Sequence, residues 1–342
     1  MLCALMYFDI AMPLTLFAVT VIAVFLHGKT EKKLKTTLEE REFRIRDVVM
    51  LVAAISITVS VMVFVPQMAV MALFLFAYSM LLFIFTYVFS DFKKSHAQLF
   101  CTVFLIISFA AATISILTAS SLNDALMYGA IAFCCMLGFS FVALLYENER
   151  TRMHERWYLA VLPPALFIIL YAFYSQTPIW FPYLLSLYGV VFAILIILYL
   201  GSLFTWKTTL IFVALLTVVD IILVLVTKSM VSAATHVAGL RLPVLVVVPT
   251  VPQITKIWGM SLGLGDFFFA GLIAIQSLKK FGKRFALLSI VAMTASFFVF
   301  ETLMLNAELS AFPGTLMIIC GWMPLIFLKY IHSRRKSVVP KE

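Results

Sequence analysis

Two aspartates stand alone inside apolar, membrane-length stretches: Asp220 in Val218-Val219-Asp220-Ile221-Ile222, and Asp266 in Gly263-Leu264-Gly265-Asp266-Phe267. A carboxylate in hydrocarbon costs several kcal/mol unless it is protonated, paired or wetted. Two of them on segments adjacent in sequence point to one shared polar site. Facing carboxyls do acid–base chemistry: like charges at hydrogen-bond distance cannot both ionise, so one carries the proton and the other does not. The ionised member polarises a water for attack on a carbonyl, and the protonated member donates to the oxygen that becomes negative. This needs no metal and no organic cofactor, and the sequence leaves the two roles interchangeable. A second use of the same residues is to carry coupling ions or protons in a transporter. That reading predicts inverted repeats and broken helices in both halves, and no convincing repeat is present.

The elements that must position these residues are membrane spans. The chain has 342 residues, 64% hydrophobic and 12% charged, with a mean hydropathy of +1.10. No soluble domain covers that much apolar surface with so few charges, so the class is an all-α polytopic membrane protein. Eleven apolar segments are candidate spans, at about 4–26, 48–65, 68–89, 99–119, 125–146, 157–174, 182–204, 207–226, 257–278, 285–305 and 313–331. Only Pro66-Gln67 separates the second from the third. The first lacks a basic leader and a cleavage site and reads as a retained span. Three stretches follow: scaffold helices over 1–176, a part carrying both aspartates over 177–331, and a basic tail over 332–342.

Charge gives the orientation. Of the 25 basic residues, 22 fall in loops on one side and only Lys228, Arg241 and Lys256 on the other. The positive-inside rule puts the N-terminus outside, the C-terminus in the cytoplasm and the loop between the aspartates outside. The net charge of +9 is therefore a topology signal, not a nucleic-acid signal. Asp220 then lies roughly 9 Å from the outer end of its helix and Asp266 roughly 14 Å from that of its own, counting 1.5 Å per residue, so the two can meet.

Taken alone, Gly-x-Gly-Asp also fits a helix-packing glycine pair beside a structural acid. The context is more specific. Val219-Asp220 is followed by Thr227-Lys228-Ser229-Met230, then by Leu242-Pro243-Val244-Leu245-Val246-Val247-Val248-Pro249, then by Gly263-Leu264-Gly265-Asp266. In order and spacing this resembles the presenilin and signal-peptide-peptidase group of intramembrane aspartyl proteases, closest to archaeal presenilin-like homologues. The chain departs from that pattern in Val219 for the usual Tyr, in Ser229 for His, and in Ser310-Ala311-Phe312-Pro313, where only Ala311 of a Pro-Ala-Leu motif is kept. It also holds one N-terminal hairpin more than the family's nine spans.

The resemblance implies an intramembrane aspartic endopeptidase with Asp220 and Asp266 catalytic, and Gly263, Leu264 and Gly265 as motif support. Its substrates are transmembrane segments or signal-peptide remnants, and its setting is a prokaryotic or archaeal cell membrane. The outside placement of the inter-aspartate loop is similar to signal peptide peptidase. Leu242, Val244, Leu245, Val246, Val247 and Val248, entered through Arg241 and with prolines at 243 and 249, are β-branched or apolar and read as a short strand able to pair with unwound substrate, or as an amphiphilic loop resting on the outer leaflet. Ser310–Pro313 would lie beside it as further substrate contacts. Partners are thus membrane peptides and the bilayer, with no nucleic acid, no metal and no cofactor; the oligomeric state is not encoded in any recognisable pattern. The cysteines show no CxxC spacing, the histidines no ligand spacing, and neither His-Glu-x-x-His nor Gly-x-Ser-Gly occurs. Asp9 reads as interfacial, Glu301 as a wetted or hydrogen-bonded structural acid, and Phe267–Phe269 as packing.

Overall fold

The computed structural model describes residues 7–37, 42–65, 67–68, 94–117, 124–146, 157–175, 180–254, 257–307, 309 and 311–338. Eight helices among them are long and apolar enough to cross a membrane, within Ala11–Gly28, Ile45–Phe64, Lys94–Ile114, Met127–Tyr146, Trp180–Leu203, Trp206–Val226, Lys283–Asn306 and Gly314–Ile331. Helices are what the composition demands, since only they satisfy every backbone group within one segment. The segment expected at 68–89 lies outside the described residues. The one expected at 157–174 is two pieces, α5 (Trp157–Ala160) and α6 (Leu162–Tyr174). Pro163 and Pro164 cannot donate into the preceding turn, so the helix restarts there.

The chain divides into two units. Residues 70–184 hold α3 (Lys94–Leu117), α4 (Asp124–Tyr146), α5 and α6. Their core is Ala97, Cys101, Leu137, Leu144, Tyr158, Leu159, Ala160 and Leu162. Ser140 Oγ donates to Tyr158 O at 3.2 Å, tying α4 to α5. Gly129 lets α4 approach α6: a Cβ there would fall 2.6 Å from the Phe173 ring.

The other unit, residues 1–69 and 185–342, holds both aspartates. It contains α1 (Ala11–Thr37), α2 (Ile45–Phe64), α7 (Leu185–Leu203), α8 (Trp206–Ile221) with a π-helical continuation over Ile222–Val226, and α9 (Ser229–Gly239). After these come β1 (Leu245–Ile254), β2 (Ile257–Gly263), α10 (Leu264–Phe281), α11 (Lys283–Asn306) and α12 (Gly314–Val338). The central member is α10, buried without a break from Phe267 to Ser277, as a helix apolar on all sides must be. Phe267–Phe269 therefore pack inside the protein, with Phe268 against Phe204 and Phe212. Gly271 brings α10 onto Ile197 of α7, where any Cβ would stand 2.5 Å from that side chain. Polar ties fix the remaining faces: Gln276 donates to the carbonyls of Gly201 and Phe204, and Trp322 Nε1 to Ser277 Oγ.

One expected span is corrected. The segment 257–278 is not a single helix: 257–263 is a strand antiparallel to β1, and the helix starts at Leu264. The pairing runs Leu245 with Gly263, Val246 with Leu262, Val247 with Ser261, Val248 with Met260 and Pro249 with Gly259. Gly259 and Gly263 disfavour a helix there. At Gly259 a Cβ would stand 2.7 Å from Val248 O, so this pairing requires the bare residue. Asp266 consequently sits in the first turn of its helix, not nine residues inside it.

Candidate active site at the start of the last helix

Asp220 is carried by the last turn of α8, just before the helix loosens into its π-helical continuation, and it is 6% exposed. The helix is anchored at its other end, where Thr205 caps it through a reciprocal pair of bonds with Thr208. Asp266 comes from the opposite direction, three residues past the N-cap Gly263. From that position a carboxylate reaches back toward the N-cap backbone. Gly263 duly lies against it, its Cβ position 3.4 Å from Oδ2, with its backbone hydrogen-bonded to the carboxylate.

The start of α12 joins the two. Thr315 holds Asp220: its N–H donates to Oδ2 at 3.2 Å and its hydroxyl to the same oxygen at 2.6 Å. Gly314 holds Asp266 by contact, since a Cβ at 314 would stand 2.5 Å from Oδ1 and 2.6 Å from Cγ. Residues 314 and 315 are neighbours in the chain, so the two carboxyls are neighbours in space, and the charge of Asp220 acts directly on Asp266. The surroundings of the two acids differ. Asp220 is buried, whereas Asp266 is half-buried and Gly265 exposed with nothing within 4 Å of its Cβ position. Leu264 is buried and continues the ladder, its N–H donating to Val244 O at 3.0 Å. The acids thus lie at the end of the hairpin, on its open side.

The expected strand residues divide. Leu245–Val248 are in β1, while Arg241, Leu242, Pro243 and Val244 form the turn leading in. The Leu264-to-Val244 bond fixes the ladder alternation, so Val246 and Val248 bond to β2 and Val247 faces away from it. That outer edge of β1 is already engaged. Ser186 Oγ of α7 bonds both the N–H and the carbonyl of Val247. Farther on, Asp9 Oδ1 accepts from Val251 N at 2.8 Å, and Ile10 N donates to Val251 O at 2.9 Å. Val246 is buried against Gly189. On β2 the same alternation turns the backbones of Gly259, Ser261 and Gly263 outward. Among the described residues no hydrogen bond engages that edge at Gly259 or Ser261, and at Gly263 it ends on Asp266. The edge open to an added strand is thus that of β2.

Of the residues expected beside the last span, Ala311 and Phe312 are half-buried and Pro313 is buried, with Phe312 stacked on Phe300. Ser310 lies outside the described residues. The residues that touch the acids are the next two, Gly314 and Thr315. No motif in the sequence marks them; only the convergence of the two helices on this turn does.

Two other acids lie in the same unit. Asp9 is wholly buried within the protein just before α1, at the end of the first span, and caps that helix by accepting from Ala11 N and Met12 N. Glu301, 1% exposed, is near enough to feel the charge of Asp9, yet neither of its oxygens has a hydrogen-bond partner among the described residues. Among the described residues no group of acids, histidines and cysteines has the arrangement of a metal site. Compared with models of known protein families and with characterised proteins, the chain gives no match.

Proposed function

We propose that this protein is an intramembrane aspartyl protease that hydrolyses peptide bonds within transmembrane segments or signal-peptide remnants. The observation that carries the reading is the meeting of Asp220 and Asp266 at Gly314–Thr315, two carboxyls from separate helices held by adjacent residues inside a membrane protein. The hairpin supplies the second requirement. A membrane helix hides its scissile bonds behind its own hydrogen bonds, so the substrate must unwind, and its freed backbone groups then need partners. The outward edge of β2 offers such partners at Gly259 and Ser261, and its last residue lies against Asp266. A peptide added there as a third strand arrives at the acids with its backbone already paired.

The chemistry is balanced within the dyad. The ionised carboxylate takes a proton from water as its oxygen bonds to the scissile carbonyl carbon, and the protonated carboxyl gives its proton to the carbonyl oxygen. In the second half the first acid protonates the leaving nitrogen, the C–N bond breaks, and one gem-diol proton returns to the second acid. Water is consumed, and an acid and an amine are released. The charge bias supports an orientation with the inter-aspartate loop outside, similar to signal peptide peptidase, and hence substrates whose N-terminus is cytoplasmic.

The test is cleavage of a labelled transmembrane peptide by purified full-length protein in liposomes. Cleavage should be blocked by a hydroxyl-bearing transition-state mimic and abolished in both Asp220→Asn and Asp266→Asn. Ion or proton flux without proteolysis would transfer the same two residues to transport.

A further inference from the structure

The dyad is chemically symmetric but its surroundings are not. Asp220 Oδ2 receives two donors from one residue: the Thr315 hydroxyl at 2.6 Å and the Thr315 amide at 3.2 Å. An O–H donor to an ionised oxygen settles at about 2.5–2.7 Å, and bonds of this kind are roughly twice as strong as neutral ones. The amide belongs to the first turn of α12, where N–H groups lack partners within the helix and favour a negative neighbour. Asp266 has no such side-chain donor among the described residues. Its Oδ1 and Cγ abut the bare α-carbon of Gly314, and its polar neighbours are the Gly263 backbone and Asp220 itself.

The geometry points to Thr315 as the positioning residue that makes Asp220 the ionised, water-activating member of the pair and leaves the shared proton on Asp266. The inference rests on the protease reading and assigns the two roles within it. With Oδ2 of Asp220 occupied by Thr315, Oδ1 is the oxygen left to take the proton of the attacking water. Asp266, whose Oδ1 meets no donor from α12, is free to turn its own O–H toward the scissile carbonyl. Gly314 lets Asp266 pack against the start of α12 without offering it a side-chain donor, and Thr315 holds Asp220 fixed. The residue touches Asp220 and not the substrate, so its effect falls on the chemical step and not on docking.

The experiment compares Thr315→Val with Thr315→Ser in cleavage of the labelled transmembrane peptide across a pH series. Valine matches threonine in shape and removes the hydroxyl; serine keeps it. Thr315→Val should lower kcat roughly 10- to 100-fold, the value of a hydrogen bond to a charged group, with KM unchanged. The acidic limb of its pH–rate profile should move toward neutrality while the alkaline limb stays in place. Thr315→Ser should restore both kcat and profile to within a few-fold. A Thr315→Val enzyme with wild-type kcat and limbs, or a Thr315→Ser enzyme as impaired as the valine variant, would overturn the assignment. If the valine variant does not fold, Thr315→Ala against Thr315→Ser decides the same point. Failure of the wild-type protein to cleave at all would strike the protease reading, a result distinct from cleavage that ignores position 315.

Discussion

The same unit holds two pairs of acids largely shielded from solvent, and they are built on opposite principles. Asp9 spends its carboxylate on three backbone amides: Ala11 and Met12 of its own helix, and Val251 of β1. Its neighbour Glu301 has no hydrogen-bond partner among the described residues. In the other pair, among the described residues, Asp220 accepts hydrogen bonds on one oxygen, Asp266 has no side-chain donor, and the adjoining Gly265 is exposed. Burial of an acid is common to both places and so identifies neither. The difference is spare bonding capacity next to exposed chain: a carboxylate saturated with amides is a structural clamp, whereas one with a free oxygen close to the exposed Gly265 can do chemistry.

The sharpest way to break this comparison is to neutralise each acid in turn. Asp220→Asn and Asp266→Asn should each lower peptide cleavage by about 10³-fold or more, because a dyad with one titratable member cannot exchange the proton. The corresponding change at Asp9 should leave kcat within a few-fold. Equal losses at all three positions would erase the distinction between clamp and catalyst.

Next in size is Gly314→Ala. The added methyl would stand 2.5 Å from Asp266 Oδ1, so either that carboxyl or the start of α12 must move. A displacement near 1 Å from productive geometry costs about 10²-fold. A fall of that order in kcat, with the thermal midpoint nearly unchanged, is expected; wild-type turnover would show that the contact does not set the dyad.

These residues also show how far the chain could be read without coordinates. Spans were legible because twenty-residue apolar runs have few alternatives in a membrane, and the two aspartates because a charge there is conspicuous. The strand at Leu245–Val248 was legible from its β-branched run. Its partner was not: Ile257–Gly263 is as apolar as a span, and a short apolar run has no period that separates strand from helix. Gly314 and Thr315 carry no pattern; their role exists only because two distant helices converge there. The burial of Asp9 had no signal for a related reason, since it depends on a strand edge more than 240 residues away in sequence.

The two edges of the hairpin allow a smaller test. Leu262 faces β1 and its amide belongs to the ladder with Val246, whereas Ser261 faces outward. Proline is tolerated only where no ladder amide is needed. Ser261→Pro should keep the fold and raise KM or lower kcat/KM by about 10-fold, the loss of one backbone partner to a docked strand. Leu262→Pro, and likewise Val246→Pro, should lower the thermal midpoint as well, by breaking the hairpin itself. Undiminished cleavage by Ser261→Pro would remove the β2 edge from substrate docking.

The smallest effects concern the clamp, and there the two acids should differ in sign. Asp9→Asn leaves one carbonyl oxygen for three amide donors, two of which meet Oδ1 and one Oδ2. At least one amide is then stranded, at a cost of about 1–3 kcal/mol for a buried group, seen as a lower denaturation midpoint with kcat preserved. Glu301→Gln removes a carboxyl that has no donor to meet it and sits beside the Asp9 charge. A neutral amide of the same size relieves any like-charge opposition while keeping the packing, so the variant should be at least as stable as the parent, with unchanged turnover. If Glu301→Gln instead destabilises the fold as much as Asp9→Asn, Glu301 contributes to the clamp through its charge, and the two acids of that pair act together, as the two members of the dyad do.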